Sequence, residues 1–115
     1  MIKRLETGPR MSQAVVHGNT VYLAGQVADD PSADVTGQTR QILANISKAL
    51  AAVGAGPEHV VRTRIYLTDI SRWEDVGRAH GEVFGDIRPA TAMVEVAKLI
   101  SPEILVEIEA DAYVP

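Results

Sequence analysis

The last third of the chain alternates with period two, and few folds accommodate that pattern. Arg88-Pro-Ala-Thr-Ala-Met-Val-Glu-Val-Ala97 and Ile104-Leu-Val-Glu-Ile-Glu-Ala-Asp-Ala-Tyr113 both place apolar and polar side chains on alternate sides, the pattern of a strand with two different faces. Ala92, Val94 and Val96 are expected to share a face with Val106, Ile108 and Ala110, packed under a helix. Thr91, Met93 and Glu95 then share the opposite face with Leu105, Glu107, Glu109 and Asp111. Four carboxylates on one face repel one another unless they meet water, basic side chains or a second subunit. That face is therefore where function or assembly is expected.

The upstream sequence supplies the rest of a sheet and its cover. Ser12–Val16 and Thr20–Ala24 flank His17-Gly18-Asn19 and predict a hairpin. Gly25 either ends the second strand or lets the backbone approach another group closely. After an Asp- and Pro-containing loop, Ile42, Ile46, Leu50 and Val53 recur at helical spacing. They predict a helix over about 35–53, with Asp34 as its N-cap and Gly54 at the left-handed position beyond its end. Val60–Thr68 is a third strand, with Val61, Thr63, Ile65 and Leu67 on one side and Arg62, Arg64 and Tyr66 on the other. A second helix is predicted to follow, capped by Asp69 or by a Ser71/Glu74 capping box. It presents Trp73, Val76, Ala79, Val83 and Phe84 to the core and stops at Gly85.

The order hairpin, helix, strand, helix, strand, strand predicts an α+β fold, one mixed sheet with both helices on one face. At 115 residues a single domain over 1–115 is expected, with one core and little room for an appended module. No apolar run approaches the ~18 residues of a membrane span, and Met1-Ile-Lys-Arg-Leu-Glu6 lacks the apolar segment of a secretory signal. Without cysteine there is neither a disulfide framework nor a thiolate nucleophile. Together these predict a soluble, cytoplasmic protein. His17, His59 and His80 lack metal-ligand spacing, so no metal is expected. A formal charge of −4 without a basic cluster disfavours a nucleic-acid partner.

Six segments in order, Met11-Ser-Gln-Ala-Val15, Val21-Tyr-Leu-Ala-Gly-Gln26, Gln38-Thr-Arg-Gln-Ile-Leu-Ala-Asn-Ile46, Val60-Val-Arg-Thr-Arg-Ile-Tyr-Leu-Thr-Asp69, Pro89-Ala90 and Val106-Glu-Ile-Glu-Ala110, resemble the Rid family of reactive-intermediate deaminases, also called YjgF. The resemblance implies a chorismate-mutase-like fold related to the ferredoxin-like folds. It also implies a homotrimer whose sheets form a central barrel, with clefts for a small metabolite between subunits. The implied activity is hydrolysis of imines or enamines to 2-oxo acids and ammonia, without metal or organic cofactor. A guanidinium would hold the substrate carboxylate, and a carboxylate would position the attacking water.

Transferred residue by residue, the resemblance assigns the carboxylate to Glu107. It assigns the cleft to Met11, Ala24, Gly25, Gly77, His80, Arg88, Thr91, Ala92 and Met93. Several of these depart from the family pattern: Thr91 stands for the arginine expected after Pro-Ala, and Met11, Ala24 and Gly77 stand for tyrosine, serine and asparagine. A threonine cannot make a bidentate charged clamp, so a compensating cation would have to come from Arg88, Arg64 or Arg10. The ordinary role for Arg62 and Arg64 is pairing with Glu95, Glu107 or Glu109, and for Glu107 a structural ion pair. The departures leave two further readings beside hydrolysis: a non-catalytic ligand-binding, regulatory or protective module, and a ribonuclease or translation inhibitor, which the acidic charge disfavours.

Overall fold

In the computed structural model, which describes all 115 residues, six strands form one sheet. They are β1 (Ile2–Thr7), β2 (Ser12–His17), β3 (Thr20–Gln26), β4 (Val60–Leu67), β5 (Ala90–Glu95) and β6 (Val106–Tyr113), in the spatial order β1-β2-β3-β6-β4-β5. Helices α1 (Val35–Ala52) and α2 (Trp73–Phe84) are the two long connections. β3 and β4 both run antiparallel to β6, which lies between them, and β4 and β5 are parallel neighbours. Both crossovers step in the same direction across the sheet. The right-handed rule then puts both helices on one face, and α1 packs on β3, β6 and α2.

Helix α1 begins where its cap was read: the Asp34 carboxylate accepts from the Gly37 N–H at 2.8 Å. Gly54 takes φ 75° just past its end, the left-handed turn that glycine makes without a Cβ clash. Its inner stripe of Ile42, Ile46 and Leu50 is fully buried against Ile65, Leu67, Val106 and Ile108. Burial of one such side chain contributes about 1.5–3 kcal/mol. Gln38 is the polar exception, fully buried on the same stripe. Its amide donates to the carbonyls of Pro31, Ala33 and Glu103, and its carbonyl accepts from the Leu105 N–H. It thus ties the loops before α1 and before β6 to one helix.

Four local expectations are corrected. Ile2–Thr7 forms a strand at the sheet edge; its side chains stay largely exposed, so it carries no apolar alternation to read. The Ser71/Glu74 capping box does not form. Asp69 instead caps a short 3-10 turn over Ile70–Arg72, accepting from both the N–H and the hydroxyl of Ser71. Trp73, expected in the core, is 55% exposed at the first position of α2, directly after this turn. Helix α2 ends at Phe84 with Gly85 as its C-cap, as read, and the chain then turns through Arg88 (φ 56°), whose N–H reaches the Phe84 carbonyl.

The fourth correction concerns β5. Thr91 and Met93 pair with Thr63 and Ile65 of β4, whose side chains face the helices. Thr91, Met93 and Glu95 therefore lie on the helix side, and Ala92 and Val94 lie on the open side with Arg64 and Tyr66. The two faces of this edge strand are both lightly buried. Its alternation consequently carried no information about which side faces inward; only the register with β4 fixes it.

Candidate functional site

The open face is built around β6, where Glu107, Glu109 and Asp111 alternate with the buried Val106, Ile108, Ala110 and Ala112. Glu107 lies against the end of β3. Between Leu23 and Gln26 the β3–β6 register shifts, because three residues of β3 advance against two of β6, the signature of a bulge. At its crest is Gly25, and a Cβ there would run into the Glu107 carboxylate. The bulge and the missing side chain together make the space that Glu107 occupies.

The charged neighbours of Glu107 are committed elsewhere. Arg64 pairs with Asp111 at 3.3 Å and Glu109 at 3.7 Å, and the Tyr66 hydroxyl donates to Glu109 at 2.6 Å. That hydrogen bond, with burial and the carboxylate charge, pushes the Tyr66 phenol above its ordinary value. Glu107 itself has no ion-pair or hydrogen-bond partner among these groups, so the structural pair expected for it is absent within the chain. Burial, and secondarily the charge of Glu109, hold its carboxyl above the usual range. Arg62 lies opposite Asp111 in register but makes no ion pair. Glu95 is not on this face and accepts instead from the Ile70 N–H at 3.0 Å.

A second group lies on the other side of the sheet, between α2 and the β4–β5 edge. The Thr91 hydroxyl meets that of Thr63 at 2.8 Å, and Thr63 meets His80 Nε2 at 3.0 Å. Thr91 also donates to the Pro89 carbonyl at 3.1 Å. With that bond made, Thr91 has no proton left for Thr63, so Thr63 donates to Thr91 and accepts from the His80 N–H. The imidazole packs on Phe84, ring centres 4.7 Å apart, and burial holds it below the usual histidine range. Thr63 is fully buried while Thr91 is exposed. The chain of hydroxyls therefore connects a neutral, half-buried imidazole to the surface.

The residues assigned from the sequence thus fall into two groups. Ala24, Gly25, Glu107, Arg64 and Ala92 belong to the open face; Gly77, His80, Thr91 and Met93 belong to the helix side or its rim. The sheet separates Glu107 from Thr91 within one chain. Arg88 turns back, its Nε donating to the Gly85 carbonyl at 3.3 Å, and Arg10 and Met11 sit exposed in the β1–β2 turn. No arginine bonds to Thr91. The hydroxyl chain was not anticipated, although Thr63, the one polar residue in the inward row of β4, was its visible sign. A groove of about 450 Å³ between β1, β2 and α1, lined by Leu5, Glu6, Gln26, Asn45 and Lys48 among others, was also missed because β1 was.

Comparison with known proteins places these features among relatives. The sequence profile of the family described as endoribonuclease L-PSP matches residues 1–114. A RutC family protein of Pyrococcus horikoshii is 38% identical over 108 residues, 89% of this chain and 85% of that protein. Among solved structures, a member of the YjgF family from Mycobacterium tuberculosis is 48% identical and superposes with a TM-score of 0.92, covering 99% of this chain and 100% of that one. A Rid-family protein of unknown function from Yersinia pestis is 32% identical with a TM-score of 0.90, over 99% and 100% of the two chains.

Proposed function

Because the chain belongs to the YjgF/Rid family, we propose that it assembles as a homotrimer whose inter-subunit clefts hydrolyse small reactive imines and enamines to carbonyl compounds and ammonia. The observation that carries this reading is Glu107: a half-buried carboxylate without a partner, seated in space made by the Gly25 bulge, its proton affinity raised. A group so placed, holding its proton more tightly than an ordinary carboxylate, is suited to take and return a proton.

The trimer gives meaning to the separation of the two groups. Glu107 of one subunit and Thr91 of a neighbour can border one cleft, although the sheet parts them within a chain. The open face also carries Tyr22, Val94 and Tyr113, each about half exposed, beside its charged ladder. Such mixed apolar and charged surfaces suit burial between copies.

In the reaction, the water oxygen bonds to the carbon of the protonated imine as the C=N π pair moves to nitrogen, and Glu107 takes the water proton. Glu107 then protonates the amine of the carbinolamine. The C–N bond breaks with its electrons on ammonia, and the carbinol proton passes to solvent as the carbonyl forms. The test is carbonyl and ammonia release from freshly generated imines against the uncatalysed rate. Acceleration abolished in Glu107→Gln supports the reading, and a wild type without acceleration on any imine sinks it. Sedimentation tests the assembly, since a stable monomer at micromolar concentration removes the cleft.

One observation favours a second reading, ligand binding without turnover: Arg64 is paired with Glu109 and Asp111, the Arg88 Nε is turned onto the Gly85 carbonyl, and no arginine bonds to Thr91. RNA cleavage, the activity in the family's descriptive name, finds no support on the open face, where Glu107, Glu109 and Asp111 would repel phosphates.

A further inference from the structure

Resting on that reading, we infer that the cleft selects imines without a carboxylate, such as aldimines of primary amines, and that the Thr91 hydroxyl, backed by Thr63 and His80, is the group that contacts them. A substrate carboxylate would meet unfavourable surroundings on either side of the cleft. On the Glu107 side it would face Glu107 itself, with Glu109 and Asp111 beyond; Arg64, the arginine next to Glu107 in register, already serves the latter two, and the unpaired Arg62 lies further along the strand, opposite Asp111. An isolated anion desolvated beside carboxylates is strongly disfavoured, whereas a protonated imine is attracted.

On the Thr91 side there is no formal charge in the bonded chain at all. Its members are two hydroxyls, a carbonyl and an imidazole that burial keeps neutral. No member of that chain can form the paired charged bonds that a carboxylate exchanges for its water, and Arg88, the arginine nearest Thr91 in sequence, turns its Nε onto the Gly85 carbonyl.

The hydroxyl chain is adaptable where a guanidinium is not. With the His80 proton on Nε2, the direction runs from His80 through Thr63 to Thr91, and Thr91 donates outward, to Pro89 or to a ligand. With the proton on Nδ1, the direction reverses, and the Thr91 oxygen accepts from a ligand N–H. The same site can therefore donate to a carbonyl oxygen or accept from an iminium nitrogen. Both are uncharged or cationic partners, present in one reaction as product and substrate. Thr63 is fully buried, so the chain is set from its two ends, by the His80 tautomer on one side and by what the exposed Thr91 hydroxyl meets on the other.

The experiment is a comparison of two imine classes with the assembled protein. Imines made by an L-amino-acid oxidase carry a carboxylate; those made by an amine oxidase from primary amines do not. Hydrolysis of both is followed by competition with semicarbazide trapping. The expected result is preferential acceleration of the aldimines by wild type, with a loss of about tenfold or more in Thr91→Val, which keeps the shape and removes the hydroxyl. Thr91→Arg is expected to shift the ratio about tenfold or more toward the 2-imino acids by restoring a charged clamp.

Wild type that prefers the 2-imino acids overturns the inference while leaving imine hydrolysis standing. Acceleration of neither class overturns both. Thr91→Val indistinguishable from wild type on aldimines, with thermal melts showing a folded variant, removes Thr91 from the site.

Discussion

The two faces of this sheet follow different rules. No buried side-chain polar atom lacks a partner, and on the helix side this is visible in detail: Gln38 uses both ends of its amide on loop backbone, and Thr63 is bonded on both sides. On the open side Glu107 is left without a partner in a space shaped for it, beside a ladder of half-exposed charges. The covered face is closed in the single chain. The open face is not closed in this way, which is the property that the proposed assembly and chemistry would require of it.

Substitutions grade this contrast. The largest effect belongs to the covered face: Ile46→Ala, at a position with no exposure, is expected to cost about 2–5 kcal/mol in denaturant unfolding. Next is Gln38→Ala, about 1–3 kcal/mol, because the Leu105 N–H and the Glu103 carbonyl lose a buried partner. If either costs no more than a surface substitution, the distinction between the faces is wrong.

On the open face the effects shrink. Arg64→Met removes two ion pairs whose members remain partly exposed, so at most about 1 kcal/mol is expected, less in high salt. A loss several times larger, and dependent on protein concentration, would mean that these pairs are sealed inside the oligomer.

Glu107→Gln should cost nothing and slightly stabilise at neutral pH. Its carboxyl is held above the ordinary value by burial, so the folded state favours the protonated form. The stability gained from that preference is present below the unfolded pKa and lost as pH rises through the folded one. The advantage of the Gln variant should therefore appear near neutrality and close as pH falls below the carboxylate range. Thermal melts across that window check the sign. A variant less stable than wild type at neutral pH would reveal a cationic partner for Glu107, supplied by a neighbouring subunit.

Much of this was readable in one dimension because it depends on local chemistry. Asp34, Gly54 and the stripe of α1 declare a capped helix through spacing and backbone preference. The alternation in β6 declares its inward face because a central strand, covered on one side, must bury every second residue. The resemblance of six ordered segments to the Rid family is likewise carried by sequence. It named Glu107 and Thr91 as positions of interest.

The rest waited for the fold because it depends on register. Whether Thr91 faces the helices or the open side was decided by its pairing with Thr63, since β5 buries too little on either side to say. The link from Thr91 through Thr63 to His80 joins two strands and a helix, and no spacing along the chain announces it. The close approach of Gly25 to Glu107 joins residues at opposite ends of the sequence. Local propensity depends on neighbours in the chain, but a hydrogen bond or a steric gap depends on neighbours in space, and those are set only when the strands pair.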